Sequence, residues 1–399
     1  MWELVRANQR RSRLIVIGMA LLLAAMGYLL GDSFLEGQGG AGLAIALAVW
    51  GVLWLITVSA GDSMLLSIAR ARPIEKRHHP VLYNVVEEMT IAAGLPAMPS
   101  VYIIDDPAPN AFATGRDPRR AAVAVTSGLL ERLDRDELQG VIAHELAHIK
   151  NRDVLYMTTL IVMVGTIGIL ASMGRRLFLF RGGGRRRTSS AGGGQAALLL
   201  AAIALLLMIL APLIARLLYF ASSRRREYVA DGCAALFTRY PAGLASALEK
   251  ISLSPRRLAA ANEVTAPLYI VNPLSVTRAG LADLTSTHPP LSRRIKILRS
   301  MAGQAGLTNY DEAYRKVTGR AVGVVPRSHQ DGRVAEARAA APEAGDPRAR
   351  VRGATDALWR LQNFAFIPCV CGTTLKVPPE FRGPALRCPH CGREHEMAT

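Results

Sequence analysis

Four long runs without a charged residue constrain the fold of this chain more than any other feature. Each run is long enough to form a helix across a hydrocarbon layer of about 30 Å. The runs are Leu14–Gly31, Gly37–Gly61, Val154–Gly174 and Thr188–Ala215. Half of the 399 residues are hydrophobic, but aromatic residues make up only 6%. We therefore predict a mainly α membrane protein with four hydrophobic helices, the second pair near 154–174 and 194–219, and soluble parts between them.

Basic residues lie on both outer sides of the first two runs. Arginines precede the first run and follow the second, whereas the short connection between the runs is acidic. The tendency of positive charge to stay in the cytoplasm places both ends of this hairpin, residues 1–62, in the cytoplasm. We expect His78 and His79 to lie on the same solvated basic surface. The formal net charge of +17 indicates attraction to anionic lipid more than to nucleic acid, although nucleic acid is not excluded.

The segment from residue 80 to residue 153 has the pattern of a small α+β unit. Apolar residues at helical spacing predict a helix that Gly94 closes, and Asp134 or Asp136 can cap a later helix. Three short β-like runs lie between these helices. They are Val101–Ile104, Asn110–Thr114 and Ala121–Thr126.

The later helix carries a pattern typical of a metal site. His144 and His148 are four residues apart, so both imidazoles lie on one helix face and can bind one zinc ion. Glu145 follows the first histidine directly and can accept a proton from a water at the same metal. Five residues alone also match ordinary helices by chance.

A third protein ligand for zinc has to come from elsewhere in the chain. Metzincins continue with a glycine and a histidine where this chain has Asn151 and Val154, so that class is excluded. The best candidates are Glu227 and Asp231, four residues apart on a predicted helix. One of them can bind the metal while the other orients a histidine. The alternative is an ordinary surface pair among arginines.

Four ordered segments within about Val101–Leu298 resemble the M48 peptidases. They are His144–Asp153, Arg224–Asp231, Pro109–Gly115, and Thr287–Pro290 followed by Arg293–Ile295. With four spans the chain is more similar to the HtpX proteases of this family than to the related Ste24 proteases, which have more spans. The resemblance implies a gluzincin-type catalytic domain, here residues 63–317.

The resemblance also implies roles for single residues. Glu227 would be the third ligand, Glu145 the catalytic base, and Asp231 a support of a ligand histidine. His288 and Arg294 would stabilise the transition state, although chemistry alone favours a structural histidine at position 288. The implied substrate strand contains Asn110, Ala111 and Phe112. An extended peptide could add to the exposed edge of that strand by main-chain hydrogen bonds.

The metal site and the charge pattern disagree about the Arg-rich loop at 175–187. Charge alone would place this loop in the cytoplasm. If residues before and after the second hydrophobic pair bind one zinc ion, they lie on the same side of the membrane. A loop between two full spans then lies on the opposite side, whereas a shallow re-entrant hairpin would leave the loop in the cytoplasm. In both cases the catalytic zinc lies near the membrane surface, which suggests substrates that are membrane proteins or misfolded chains beside the bilayer.

The last eighty residues have a different character. Residues 318–362 read as a flexible linker rich in Arg, Ala, Gly and Pro. Residues 363–399 contain two cysteine pairs whose spacing is typical of a zinc ribbon with one structural zinc. Disulfides are the alternative, and the partner of the ribbon is unknown. The four ligands would be Cys369, Cys371, Cys388 and Cys391, with His390 as a substitute ligand.

Together these patterns predict a zinc endopeptidase integrated in the cell membrane, with its active site and both termini in the cytoplasm. Its substrates would be membrane-associated or misfolded proteins. One alternative is an inactive membrane scaffold whose ribbon binds protein or nucleic acid, but the intact Glu145 argues against lost catalysis. Another is a processing enzyme of narrow specificity, similar to the Ste24 proteases.

Overall fold

The computed structural model describes most of the chain outside its second hydrophobic pair. The described residues are 2–34, 37–115, 117–154, 224–256, 258–259, 266–273, 288–301, 303–326, 335–341 and 346–397. The third predicted span beyond Val154, the Arg-rich loop and the fourth predicted span lie outside these residues.

Two long helices, α1 (Trp2–Phe34) and α2 (Gly39–Ile68), form an antiparallel hairpin at the start of the chain. Their backbones approach most closely at Gly27 and Gly42, where an added Cβ on either residue would overlap the backbone of the other. Such close approach of helices requires small residues. The pairing agrees with the hairpin expected from the first two runs. Among the helices of the described residues, none combines the length and the apolar character that a membrane crossing requires.

A four-stranded mixed sheet and its helices form the central unit of the described residues. The elements are β1 (Arg72–Pro73), α3 (Pro80–Ala93), β2 (Ser100–Ile104), β3 (Ala111–Thr114), β4 (Ala122–Thr126), α4 (Ser127–Arg132) and α5 (Arg135–Lys150). The strand order is β1-β2-β4-β3; β2 and β4 run parallel, and β3 runs antiparallel to β4. All three predicted strands are present.

Local signals set the ends of the helices as expected. Gly94 ends α3 with a φ of 63°, a left-handed conformation that favours glycine. Asp134, and not Asp136, caps α5, and it forms a reciprocal capping box with Glu137. His79 differs from its predicted place on the solvated surface. Its Nδ1 accepts a hydrogen bond from the amide of Leu82 at 3.1 Å, which makes it the N-cap of α3.

Helix α5 lies in the middle of this unit and is buried on several sides. Helix α3 packs on one side and helix α7, which spans Pro241–Ser252, packs on another. At Gly140 an added Cβ would lie 2.7 Å from the backbone nitrogen of Leu244, so the absence of a side chain lets α7 approach. The further helices are α6 (residues 224–238), α7 (Pro241–Ser252), α8 (Leu291–Arg299) and α9 (Leu307–Thr318).

The prediction of a flexible linker at residues 318–362 is wrong for the last part of that range, because Pro347–Leu361 form a helix, α10. Ala354 and Ala357 lie on one face and are buried in the main core, where α10 contacts α4. Arg360 also donates hydrogen bonds to the carbonyls of Arg77 and His78. The fully buried residues of α10 are alanines, and Leu358 and Leu361 pack against the core only partly buried, so the hydrophobic signal among the charged neighbours is weak. Two hairpins follow: β5 (Ala365–Pro368) with β6 (Thr374–Val377), and β7 (Ala385–Arg387) with β8 (Glu394–Glu396).

Candidate active site

The structure brings His144, His148 and Glu227 together. One ligand atom from each lies within 4.8 Å of the others, although the glutamate belongs to a different helix, α6. The Nε2 atoms of the two histidines are 3.2 Å apart. The carboxylate oxygens of Glu227 lie 3.6 Å from His144 Nε2 and 3.5 Å from His148 Nε2.

These distances fit a zinc ion. Two nitrogen ligands of one tetrahedral zinc, each at about 2.0–2.1 Å, lie roughly 3.3 Å from each other. Two buried carboxylate oxygens, Glu145 Oε1 and Glu227 Oε2, also have no hydrogen-bond partner among the described residues. Buried polar atoms without a partner are costly unless a water or an ion satisfies them. The donor set of two imidazoles and one carboxylate is that of several catalytic zinc sites.

Each histidine is oriented by a carboxylate on its other ring nitrogen. Asp231 Oδ1 lies 3.0 Å from His144 Nδ1, in line with the predicted supporting role of Asp231. Asp153 Oδ2 lies 3.2 Å from His148 Nδ1. No role was predicted for Asp153, although it is the last residue of the segment His144–Asp153 that resembles M48 peptidases. Arg152, with a φ of 56°, turns the chain so that Asp153 faces back to the helix.

Arg294 lies behind the predicted ligands, with its side chain fully buried. Its Nε and Nη2 donate to the two oxygens of Asp231 at 2.8 and 2.7 Å. Its Nη1 donates to the carbonyl of Ile270 at 3.0 Å and lies 3.5 Å from Glu227. The predicted contact with a transition state requires access to substrate, which Arg294 lacks here. The geometry instead suits a residue that positions Asp231 and Glu227.

His288 lies beside Glu227, the predicted third ligand. Its Nε2 is 3.9 Å from Glu227 Oε2. Burial lowers the pKa of His288 to about 4, so this imidazole is neutral at physiological pH. The residue is therefore close enough to take part in the site as a neutral hydrogen-bonding group.

The two glutamates of the site have opposite electrostatic environments. Burial raises the pKa of Glu145. Burial acts in the same direction on Glu227, but the neighbouring His288, His144, His148 and Arg294 hold its pKa well below the ordinary value. Glu227 is thus an anion suited to bind a cation, whereas Glu145 holds a proton more readily than an exposed glutamate does.

A small cavity opens between these residues. Its volume is about 30 Å³, and its lining includes Glu145, His148, Glu227 and Ala113 of β3. A site of this size accommodates one water molecule or slightly more. Glu145 and two of the predicted ligands therefore share one space that water can fill.

The predicted substrate strand is in place, but its outer edge is not exposed. The amide of Ile270 donates to the carbonyl of Ala111 at 3.0 Å, and Asn110 Nδ2 donates to the carbonyl of Val271 at 2.9 Å. Phe112 pairs with Tyr269 as an isolated antiparallel bridge, and their rings contact edge to face. The covering segment, Tyr269–Val271, consists of one aromatic and two β-branched residues, a composition that favours strands and could have indicated a strand partner.

The N-terminal hairpin ends beside this strand. Thr114 Oγ1 donates to Asp62 Oδ1 of α2 at 3.1 Å. Leu66 and Ala69, at the end of α2, belong to the same apolar cluster as Phe112 and Tyr269. The end of α2, and any lipid or protein that contacts it, therefore lies close to the site.

Comparison with known proteins agrees with this geometry. The model of peptidase family M48 matches residues 76–302, more than half of the chain and a range that contains the two histidines, Glu145, Glu227 and the side chains that support them. The chain belongs to peptidase family M48. As an M48 protease it is a zinc metalloprotease, and this favours an enzyme over the alternative of an inactive scaffold.

The chain is similar to M48 proteases of the HtpX type. A protease HtpX homologue of Dictyoglomus thermophilum is 45% identical over 300 residues, which are 75% of this chain and 94% of that protein. Homologues of Thermoanaerobacter pseudethanolicus and Lactobacillus helveticus are 42% and 40% identical, and the match covers 75% of this chain in both cases and 98% and 100% of those proteins. No solved structure matches the chain.

A second group of residues that could hold a metal ion lies outside the residues matched to family M48. Cys369, Cys371, Cys388 and Cys391 have their sulfur atoms within 4.8 Å of one another and form no disulfides. The Cys369–Cys391 and Cys371–Cys388 pairs are 3.5 and 3.7 Å apart. Thiolates bound at about 2.3 Å to one tetrahedral zinc lie roughly 3.7 Å apart, so the four sulfur atoms fit a closed zinc site.

Proposed function

We propose that this M48 protease is a membrane-anchored endopeptidase that cuts membrane-associated or misfolded proteins at the cytoplasmic face. In this proposal His144, His148 and Glu227 hold the catalytic zinc, and Glu145 is the catalytic base. One observation carries the mechanism: the buried, unpartnered Oε1 of Glu145 belongs to a residue that lines the same water-sized cavity as His148 and Glu227.

Zinc at this site supplies a Lewis acid that polarises a peptide carbonyl and lowers the pKa of water. Glu145 accepts the proton of the attacking water and passes it to the leaving nitrogen. Its raised pKa makes it a stronger base than an exposed glutamate, which suits both transfers at neutral pH. His288, neutral and close to Glu227, donates a hydrogen bond to the oxygen on which negative charge develops. Asp231 and Asp153 keep Nε2 of each histidine directed at the metal.

The membrane part of the proposal rests on the outer surface of the N-terminal hairpin. Large apolar side chains on both helices face outwards, and Leu21 and Leu55 are each 66% exposed. Extended apolar surfaces of this kind indicate contact with lipid or with another protein. Because α2 ends beside β3, a polypeptide at the lipid surface would be close to the catalytic groups. The predicted spans at 154–174 and 194–219 would anchor the chain further.

Replacement of Glu145 by Gln tests the mechanism. Glu145→Gln is expected to retain zinc and to lose cleavage of an unfolded protein substrate by about 100-fold or more, the usual range for loss of a general base. Glu87→Gln, which removes an exposed carboxylate on α3, serves as the matched control. Cleavage by Glu145→Gln at the rate of the control would refute the assignment of the base.

The same preparation tests the substrate class. The protein is reconstituted in vesicles and given one unfolded sequence either free or fused to a membrane anchor. Faster cleavage of the anchored form is expected. Equal rates would contradict the membrane part of the proposal without affecting the assignment of Glu145.

A further inference from the structure

A second and larger cavity lies on the side of α6 that faces α8 and α9. Its volume is about 380 Å³, and it is open to solvent. It is surrounded by Arg224, Arg225 and Tyr228 of α6, the start of α8, the end of α9 and the segment after α9. The cavity is separate from the small one that contains Glu145, because the two have no lining residue in common.

The lining of this cavity is strongly basic. It includes Arg224, Arg225, Arg293 and Arg320, and none of the described residues that line it carries a carboxylate. Four guanidinium groups around one space produce a positive potential that attracts an anion. Guanidinium is always charged, is weakly hydrated and presents its donors as a planar fork that matches phosphate oxygens.

Local contacts hold three of these arginines at the cavity through neutral groups. Arg225 Nη2 donates to the carbonyl of Val324 at 3.3 Å, and Arg320 Nη1 donates to the hydroxyl of Tyr314 at 3.3 Å. The side chain of Arg293 forms a hydrogen bond with Tyr228. Carbonyl and hydroxyl oxygens orient a guanidinium without cancelling its charge, so these contacts leave the potential of the cavity in place.

The buried carboxylate nearest to the lining, Asp311, is already compensated. Its Oδ1 accepts hydrogen bonds from the amides of Val324 and Val325 at 2.7 and 2.9 Å. Its Oδ2 lies 3.4 Å from Nε of Arg315 on the same helix. Asp311 therefore fixes the segment after α9 and does little to reduce the positive charge of the cavity.

We propose that this arginine cavity is a binding site for a phosphate-bearing anion. Phosphate could come from the headgroup of a phospholipid or from a soluble phosphate compound, and both present the same oxygens to the arginines. The location gives such a ligand an influence on the enzyme, because Tyr228 follows Glu227 directly and Pro289 follows His288. An anion bound to arginines of both α6 and α8 would limit the movement of Glu227 and His288.

A charge placed in the cavity tests the site with little change in shape. Thr318 lines the cavity at the end of α9, and Thr318→Asp introduces a carboxylate, whereas Thr318→Asn is the uncharged control of the same size. Binding of inorganic phosphate to the full-length, zinc-loaded protein is measured by calorimetry. Thr318→Asp is expected to weaken binding by at least about tenfold relative to Thr318→Asn, as one repulsive charge at short range does.

A second pair of variants keeps the test independent of that position. Arg293→Gln/Arg320→Gln removes two charges from the cavity, and Arg256→Gln/Arg348→Gln removes two from exposed places outside its lining. Only the first pair is expected to lose phosphate binding, with unchanged zinc content in both. No binding by the unmodified protein, or equal binding by both double variants, would overturn the proposal.

A second ligand distinguishes the two sources of phosphate. A short-chain phosphatidylglycerol below its micelle concentration is titrated into the same proteins. Tighter binding than inorganic phosphate, with competition between the two, assigns the site to a lipid headgroup. Equal or weaker binding assigns it to a soluble phosphate compound. Lipid binding that does not respond to Thr318→Asp would overturn the proposal.

Discussion

Arg294 and Asp231 form a bidentate ion pair directly behind His144, the first histidine of the predicted zinc-binding motif. Both side chains are fully buried, and the two hydrogen bonds measure 2.7 and 2.8 Å. Asp231 also lies 3.0 Å from Nδ1 of His144. A carboxylate there holds the proton of His144 on Nδ1 and so leaves the lone pair of Nε2 free for a metal.

Arg294→Gln is expected to destabilise the protein strongly. It leaves the carboxylate of Asp231 buried without its counter-charge, which costs about 3–5 kcal/mol in comparable ion pairs. The measurement is chemical denaturation of the zinc-free protein. The double variant Arg294→Gln/Asp231→Asn removes both charges and is expected to recover part of the loss. If the two single effects simply add in the double variant, the pair is not coupled as its geometry indicates.

Asp153→Asn is expected to weaken zinc binding by about 10- to 100-fold, the usual effect of losing a carboxylate that orients a ligand histidine. Competition with a zinc chelator measures this affinity. The control is Asp117→Asn, which removes the exposed partner of the neighbouring Arg152 and leaves the histidines untouched. Equal zinc affinity in the two variants would contradict a role of Asp153 at His148.

The sequence predicted those parts of the site that depend on local spacing. The face shared by His144 and His148 follows from the helical repeat, and the ends of α3 and α5 follow from Gly94 and Asp134. Spacing on a predicted helix left Glu227 and Asp231 open as the third ligand, and the resemblance to M48 peptidases favoured Glu227. Asp153 could have been found from its position in the same segment.

Contacts between distant segments could not be predicted in this way. The pairing of Tyr269 with Phe112 joins residues with no common pattern, and it replaces the exposed edge that was expected. The fully buried residues of α10 are two alanines, and its leucines are only partly buried, so the hydrophobic signal among charged neighbours is weak. The full burial of Arg294 was not predicted either, because sequence gives no depth of burial.

Cys388→Ser is expected to remove one of two zinc ions per chain while the peptidase keeps the other. A closed site of four thiolates loses most of its affinity when one ligand is replaced. Zinc is measured by elemental analysis after gel filtration. Cys233→Ala, which removes a buried thiol of α6, is the control and should keep both ions. A single zinc ion in the unmodified protein would contradict the second site.

His79 makes stability depend on pH. Burial lowers its pKa, and only the neutral ring can accept the hydrogen bond from Leu82. The folded state therefore prefers neutral histidine, and this stabilisation is complete above the unfolded pKa of about 6.5 and is lost as the pH falls through the lowered folded value.

His79→Asn keeps a capping oxygen that does not titrate. The variant should show a smaller fall in the thermal unfolding midpoint between about pH 7.5 and pH 5, with a difference in stability near 1 kcal/mol at the acidic end. The comparison uses the zinc-loaded proteins under identical salt. A fall as large as that of the unmodified protein would show that the cap does not titrate in this range.

The segment Tyr269–Val271 occupies the hydrogen-bonding positions on β3 that an extended polypeptide would use. A chain arriving at this strand therefore competes with the enzyme's own backbone, and its apparent affinity is reduced by the fraction of molecules in which the segment is still paired. Folded proteins without an unstructured segment would compete poorly with Tyr269–Val271 for the edge of β3. Selection for already unfolded chains would then arise from this competition, without recognition of any particular side chain.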